Sequence, residues 1–249
     1  DLLRKKYNLV KYEMLYELGR GAYGSVHLMF EGCTRKYFAL KKLIYDQSRM
    51  NEKDFDTMAK REIRNYLEII KLDDSRLLQI YQIDYSPGKE CNILMEYGDG
   101  TLLDLLRYIE ISKAKPPDLY SIIETSLKEQ LQILAQNNIC HQDIKPENII
   151  IRKGMKEFIL SDYGLSARNL SNDTQVLPIV GTLFFLKDEI VEALNRKETH
   201  FLMNPYENDI YALNKTLKIT QSILRQCDST IQLTELEELF NANIILNLY

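Results

Sequence analysis

His141-Gln142-Asp143-Ile144-Lys145-Pro146-Glu147-Asn148 is the stretch on which the reading of this chain turns. It packs an acid, a base, an amide and a proline into one short segment. Ahead of it, Leu119 to Asn137 carries helical periodicity. Behind it, Ile149-Ile150-Ile151 and Phe158-Ile159-Leu160 are short apolar runs around a Lys153-Gly154 turn, which predicts a small hairpin. After the hairpin stands Asp162-Tyr163-Gly164.

Working outward toward the N-terminus, Gly98-Asp99-Gly100 breaks the pattern, with a helical period over Leu102 to Glu110 beyond it. Before the break the chain reads mainly as strands: Tyr12–Leu18, Ser25–Phe30, Lys36–Leu43, Leu77–Asp84 and Cys91–Glu96. One helix interrupts them, Phe55 to Lys71, with Met58, Ile63, Tyr66, Leu67 and Ile70 at helical spacing. The first strand runs into Gly19-Arg20-Gly21-Ala22-Tyr23-Gly24, and a second strand follows where a dinucleotide-binding motif would open a helix. That context predicts a glycine flap, whose bare backbone can close over phosphates. Taken alone, the spacing also fits an ordinary glycine turn. Lys41 sits in the apolar strand Phe38-Ala39-Leu40-Lys41 and needs an anionic partner if buried, which Glu62 on the helix could supply. Alone, it would equally read as a surface lysine on an edge strand.

The 249 residues, 45% hydrophobic and 27% charged, exclude a disordered chain or a collagen-like repeat. No stretch has the roughly 18 apolar residues needed to cross a bilayer, and the start of the sequence, with Arg4, Lys5 and Lys6, leads into no apolar signal core. A net charge of −4 disfavours duplex nucleic acid as a ligand. Cys33, Cys91, Cys140 and Cys227 are scattered, as are His27, His141 and His200. Neither a zinc site nor a disulfide framework is expected, and a reducing compartment, cytoplasmic or nuclear, follows.

The ordered set of flap, lysine, glutamate, acid–base loop and Asp162-Tyr163-Gly164 resembles the eukaryotic-type protein kinases, from Tyr12 to about Asn214. The resemblance implies an α+β, two-lobed fold over residues 1–249. A strand-rich N-lobe with one main helix runs to about 96, a hinge spans about 96–100, and a mainly helical C-lobe begins at about 101. A cleft is expected between the lobes. It also implies roles. Asp143 would accept the proton of the substrate hydroxyl, and Lys145 would offset charge on the transferring group. Asn148 and Asp162 would hold Mg²⁺ as oxygen ligands. Lys41 would hold the ATP α- and β-phosphates, oriented by Glu62, beneath Gly19, Gly21 and Gly24. Leu18, Val26, Ala39 and Ile150 would wall the adenine, with Met95 at the back-pocket entrance and the backbone of Glu96 and Tyr97 reading the base edge. His141 and Tyr163 would be packing struts, and Asp209 would pin the catalytic-loop backbone. Lys145-Pro146-Glu147-Asn148 and Gly181-Thr182 match the serine/threonine form, that threonine bonding the aspartate and lysine of the loop. Protein Ser/Thr hydroxyls are the implied acceptors; dual specificity stays open.

Several positions depart from the family pattern. Gln142 replaces the arginine that pairs with a phosphate on the activation segment, so basal activity is expected without phosphorylation at Ser171 or Thr174. Tyr163 stands for Phe. Lys187-Asp188-Glu189 stands for Ala-Pro-Glu, and Gln232 falls where the arginine partner of Glu189 belongs. One or two helices are expected over Asn208–Gln226 and another over Thr234–Asn241, one fewer than the family pattern. Either the C-lobe is shortened or the sequence leaves residues out, and so small a substrate platform leaves room for a recruiting or activating protein partner. Two other readings stand beside an active kinase: a nucleotide-binding pseudokinase or scaffold, and a small-molecule phosphotransferase.

Overall fold

The computed structural model describes residues 12–21, 24–168 and 174–247, with side chains up to residue 242. Arg4 to Lys6, Ala22, Tyr23 and Ser171 lie outside the described residues. The chain divides between Tyr97 and Gly98 into two compact units.

The first unit is built on β1 (Tyr12–Arg20), β2 (Gly24–Glu31), β3 (Lys36–Ile44), α1 (Glu52–Leu72), β4 (Ile80–Ser86) and β5 (Glu90–Glu96). The strands form one antiparallel sheet in the order β1-β2-β3-β5-β4. Helix α1 starts earlier than its periodicity predicts because Asn51 caps it, accepting the N–H of Asp54, and the first turn carries Glu52 and Asp54 against the positive helix end. Its buried stripe is also turned from the expected one. Phe55, Ala59, Glu62, Asn65, Tyr66 and Ile69 are buried, whereas Met58, Ile63, Leu67 and Ile70 flank them half-exposed. The difference matters because the buried face is the one that carries Glu62. Strand β4 begins later than predicted: a turn closed by Leu77 N–H on Asp74 O occupies the preceding residues, so Leu77 and Leu78 are buried at a corner and not in the ladder.

The second unit contains the helices α2 (Leu102–Ser112), α3 (Leu119–Gln136), α4 (Asp188–Asn195), α5 (Pro205–Arg225) and α6 (Leu233–Asn247). Four two-stranded ribbons join them: β6 (Ala114–Lys115) with β13 (Ser229–Thr230), β7 (Ile139–Cys140) with β10 (Ala167–Arg168), β8 (Ile149–Arg152) with β9 (Glu157–Leu160), and β11 (Gln175–Pro178) with β12 (His200–Met203). A strand-rich unit with one long helix and a mainly helical unit make the α+β, kinase-like fold that the resemblance implied. Only the β8–β9 hairpin among the ribbons was legible beforehand. Asn204 caps α5 with Pro205 at its first position, which starts that helix ahead of the expected Asn208. After α5 the chain returns to α2: Asp228 and Ser229 donate their N–H groups to Lys113 O, and Phe240 of α6 stacks edge-on against Tyr108. One helix follows α5 among the described residues.

Candidate active site

In the first unit, the register of the sheet sets the candidate residues beside one another. Val26 on β2 is opposite Lys41 on β3, and Ala39 is opposite Met95 on β5. Lys41 Nζ lies 2.6 Å from Glu62 Oε1, with side chains only 15% and 8% exposed. The ammonium also stands 6.0 Å from the centre of the Tyr66 ring. The structure therefore decides between the two readings of Lys41: it is an inward lysine whose charge is met by a carboxylate on the next element. Burial raises the nearby Cys91 thiol to about 12, so it stays protonated.

The glycines differ from one another. A Cβ on Gly24 would stand 2.2 Å from Lys42 O, so the β2–β3 pairing leaves no room for one. Gly21 N–H bonds Gly24 O at 2.8 Å. Among the described residues nothing lies within 4 Å of a Cβ on Gly19, which leaves its backbone open to approach from them. Leu18 is 39% exposed on β1. Met95 and Glu96 are buried; Glu96 Oε1 accepts the N–H of Gln79 at 2.8 Å, which folds that side chain back onto its own unit. Tyr97 stacks at 6.3 Å on Tyr37.

In the second unit, α3, β7 and α5 converge on the His141–Asn148 loop. The buried carboxylate of Asp209 accepts the N–H of His141 at 2.6 Å and that of Gln142 at 2.8 Å. Burial pushes Asp209 up to about 7, against the opposing pull of these two bonds. Gln142 takes a left-handed φ of 66°, which turns the chain so that Asp143 emerges on the other side. His141 is fully buried against Tyr163, accepts the Asp143 N–H on Nδ1 and donates Nε2–H to Ser161 O at 2.9 Å. Burial lowers its pKa. A neutral, fully committed imidazole is a strut and not a base.

Asp143 is the hub. Its Oδ2 lies 2.9 Å from Lys145 Nζ and 2.9 Å from Asn148 Nδ2. Its Oδ1 accepts both the N–H and the hydroxyl of Thr182, at 2.9 and 2.7 Å. Lys145 in turn donates to Thr182 Oγ1 at 2.7 Å. The hydroxyl thus accepts a hydrogen bond from lysine and donates one to aspartate, as the resemblance implied for Thr182. Asn148 also donates Nδ2 to Asp143 O at 2.9 Å, which fixes its amide with Oδ1 as the donor atom a cation would meet. The β8–β9 hairpin brings Asn148 and Asp162 to its open end, where Ser161 N–H bonds Asn148 O at 2.8 Å. Asp162 has a left-handed φ of 60°. Ile150 lies on β8 next to the bare backbone of Gly98: a Cβ there would stand 2.8 Å from Ile150 Cβ.

One carboxylate and one amide oxygen are hard donors, too few to cage an ion but suited to Mg²⁺ that also keeps water and phosphate ligands. Among the described residues no cluster of three or more His, Cys, Asp or Glu forms a self-sufficient metal site. The residues present therefore fit a magnesium ion carried in with a phosphate ligand. Glu189, read as lacking its arginine, is 59% exposed and lies 3.9 Å from Lys187, which sits closer to Glu207. One residue of the second unit escaped the sequence reading. Gln130 of α3 is buried and bonds both Phe158 O and Leu160 N–H, holding the hairpin, and its only signal was a polar residue on an apolar face. Gly181 presses against Gln142 O, where a Cβ would stand at 2.5 Å.

The sequence matches the protein kinase domain family over residues 12–220. It is 30% identical over 184 residues to serine/threonine-protein kinase 36 of Pongo abelii, covering 73% of this chain and 13% of that protein. It is 29% identical over 189 residues to cyclin-dependent kinase 4 of Xenopus laevis, covering 73% and 56%. Against serine/threonine-protein kinase 10 of Homo sapiens it is 25% identical over 211 residues, covering 83% and 20%. The chain thus spans between about an eighth and just over half the length of these relatives. With the family matched across most of its length, on the residues whose geometry is described above, this chain belongs to the protein kinase domain family.

Proposed function

We propose that this chain is a serine/threonine protein kinase, transferring the γ-phosphoryl group of Mg-ATP to Ser or Thr hydroxyls of proteins. The observation that carries the reading is the Asp143–Lys145–Thr182 arrangement. A carboxylate is held at both oxygens by fixed donors, beside a lysine whose position is set by the same threonine. In this reading Asp143 aligns the acceptor hydroxyl and takes its proton. Lys145 balances negative charge as the phosphoryl group moves. Asn148 and Asp162 hold magnesium, which supplies neutralisation of the phosphate oxygens when bound. Lys41, kept in place by Glu62, holds the α- and β-phosphates, and the open backbone at Gly19 admits them. Leu18, Val26, Ala39, Met95 and Ile150 offer apolar surface to the adenine, and the backbone of Glu96 and Tyr97 offers its polar edge.

Serine/threonine acceptors are favoured by Lys145-Pro146 and Thr182, and the names of two relatives accord with this. A reducing compartment, cytoplasmic or nuclear, is our reading of the scattered spacing of Cys33, Cys91, Cys140 and Cys227. The exposed, weakly paired Glu189 favours a second reading, a nucleotide-binding scaffold that acts through protein contacts.

The test is phosphotransfer by purified protein from Mg-ATP to generic basic proteins, with phosphosites mapped by mass spectrometry and Asp143→Asn and Asp162→Asn run in parallel. Phosphoserine or phosphothreonine that falls about 10²- to 10⁴-fold in Asp143→Asn is the expected result. A wild type no more active than either variant, yet stabilised by ATP, would sink the catalytic reading and install the scaffold.

A further inference from the structure

Thr182 reaches Asp143 from a segment that has no regular structure of its own between β11 and the turn at Leu183–Phe185. What holds it is a single apolar cluster, and that cluster grips the segment on both sides of the threonine. Leu186, which follows Thr182, is buried with Ile190 of α4 and Met203 of β12, and Leu177 and Ile179, which precede the threonine, pack against that cluster beside Val191 and Leu194 of α4 and Phe201 of β12. The backbone repeats the pattern. β11 pairs antiparallel with β12, Val176 opposite Leu202 and Leu177 opposite Phe201, and Ile179 N–H extends the ladder to Thr199 O at 2.9 Å. Gly181 then lies against Gln142 O, and Phe185 N–H bonds back to Thr182 O at 2.8 Å. Each of these contacts is made by groups of the unmodified chain, and Gln142 is neutral.

We propose that β12, through the Phe201 side chain, is the positioning element that sets Thr182 on Asp143, so that the site is assembled without phosphorylation of the segment. This rests on the kinase reading above. Phe201 touches no reacting atom. It acts through Leu177, its cross-strand neighbour, and through the buried cluster that holds Leu186. A displacement of Thr182 by about 1 Å is enough to cost about 100-fold in rate. A strand ladder and a shared apolar cluster restrain both flanks together, which one hydrogen bond at Thr182 does not.

Phosphotransfer is measured for wild type before and after phosphatase treatment, and for Phe201→Ser and Phe201→Leu, with ATP-induced thermal shifts alongside. Expected is a treated wild type within about 2-fold of the untreated one. Phe201→Ser loses about 100-fold in kcat with KM for ATP and the ATP-induced shift unchanged. Phe201→Leu, which refills most of the volume, recovers most of that loss. The proposal is overturned if phosphatase abolishes turnover and rephosphorylation of the segment restores it. It is overturned equally if Phe201→Ser turns over like wild type, or if both variants lose activity and the ATP-induced shift together, since that is plain unfolding. A wild type silent before and after treatment refutes the kinase reading itself and is thereby told apart from these results.

Discussion

Lys41 and Glu62 meet at 2.6 Å inside the first unit, one from the middle of β3 and the other from the buried face of α1. Two charges withdrawn from water in this way gain little net stability together, but either one left alone is costly. Glu62→Ala is therefore expected to destabilise the protein by about 3 kcal/mol or more in urea unfolding. The double change Lys41→Met with Glu62→Leu should return most of that stability and none of the ATP-induced thermal shift. Equal destabilisation by the double and single variants would show that the pair is not coupled.

Asp209 makes a pH prediction. Its carboxyl, raised by burial from an ordinary 3.8 to about 7, keeps its proton in the folded chain where the unfolded chain has lost it. Folding therefore takes up a proton between about pH 4 and pH 7. This group's contribution is present in full below the unfolded value and is lost as pH rises through the folded one. Wild type should lose stability relative to Asp209→Asn over that interval, by at most about 1.4 kcal/mol per pH unit. Urea unfolding of both proteins at pH 5 and pH 7.5 measures it. A stability difference that is flat or rises with pH would mean that the bonds from His141 and Gln142 keep the group ionised.

How far these features were legible follows from what each depends on. The loop His141–Asn148, the hairpin behind it and Asp162 are set by residue types at short spacing, so the local sequence carries them. Glu62 as partner of Lys41 was legible because a buried lysine demands one acid, and the helix offered it. The buried stripe of α1 shares Tyr66 with the apolar residues at helical spacing and otherwise lies about one position from them, because hydrophobic period alone does not know that the sheet-facing side includes a glutamate paired to Lys41. The β11–β12 ribbon was not legible at all. His200–Met203 is too short a run to announce a strand, and its ladder partner lies beyond α4 in the chain. Non-local pairing of this kind has no period to detect.

Two glycines in the same motif should respond in opposite ways. At Gly24 an added methyl meets Lys42 O at 2.2 Å and Leu43 Cδ2 at 2.9 Å, so β2 must shift off β3 to admit it. Gly24→Ala is expected to cost about 2 kcal/mol or more. At Gly19 no described residue lies within 4 Å of an added methyl, and Ala favours a strand over Gly, so Gly19→Ala should leave thermal stability within about 1 kcal/mol of wild type or raise it. Its effect belongs in KM for ATP, where a side chain enters the space the flap leaves to phosphates. Thermal unfolding of the two variants side by side decides the point, and a Gly19→Ala as unstable as Gly24→Ala would count against an open flap.

Thr182 gives the sharpest test of the second unit. Its hydroxyl receives Lys145 and donates to Asp143, so Thr182→Val keeps the shape and removes both bonds, leaving two charged groups to rearrange against each other. The main-chain N–H still reaches Asp143 Oδ1 at 2.9 Å, so the segment stays docked and the loss is confined to alignment. Turnover should fall about 100-fold with KM for ATP little changed, whereas Thr182→Ser, which keeps the hydroxyl, should stay within about 5-fold of wild type. Steady-state phosphotransfer at saturating ATP reads both numbers. If valine serves as well as serine, the hydroxyl is a spectator, and the backbone bond alone holds Asp143 ready for the acceptor.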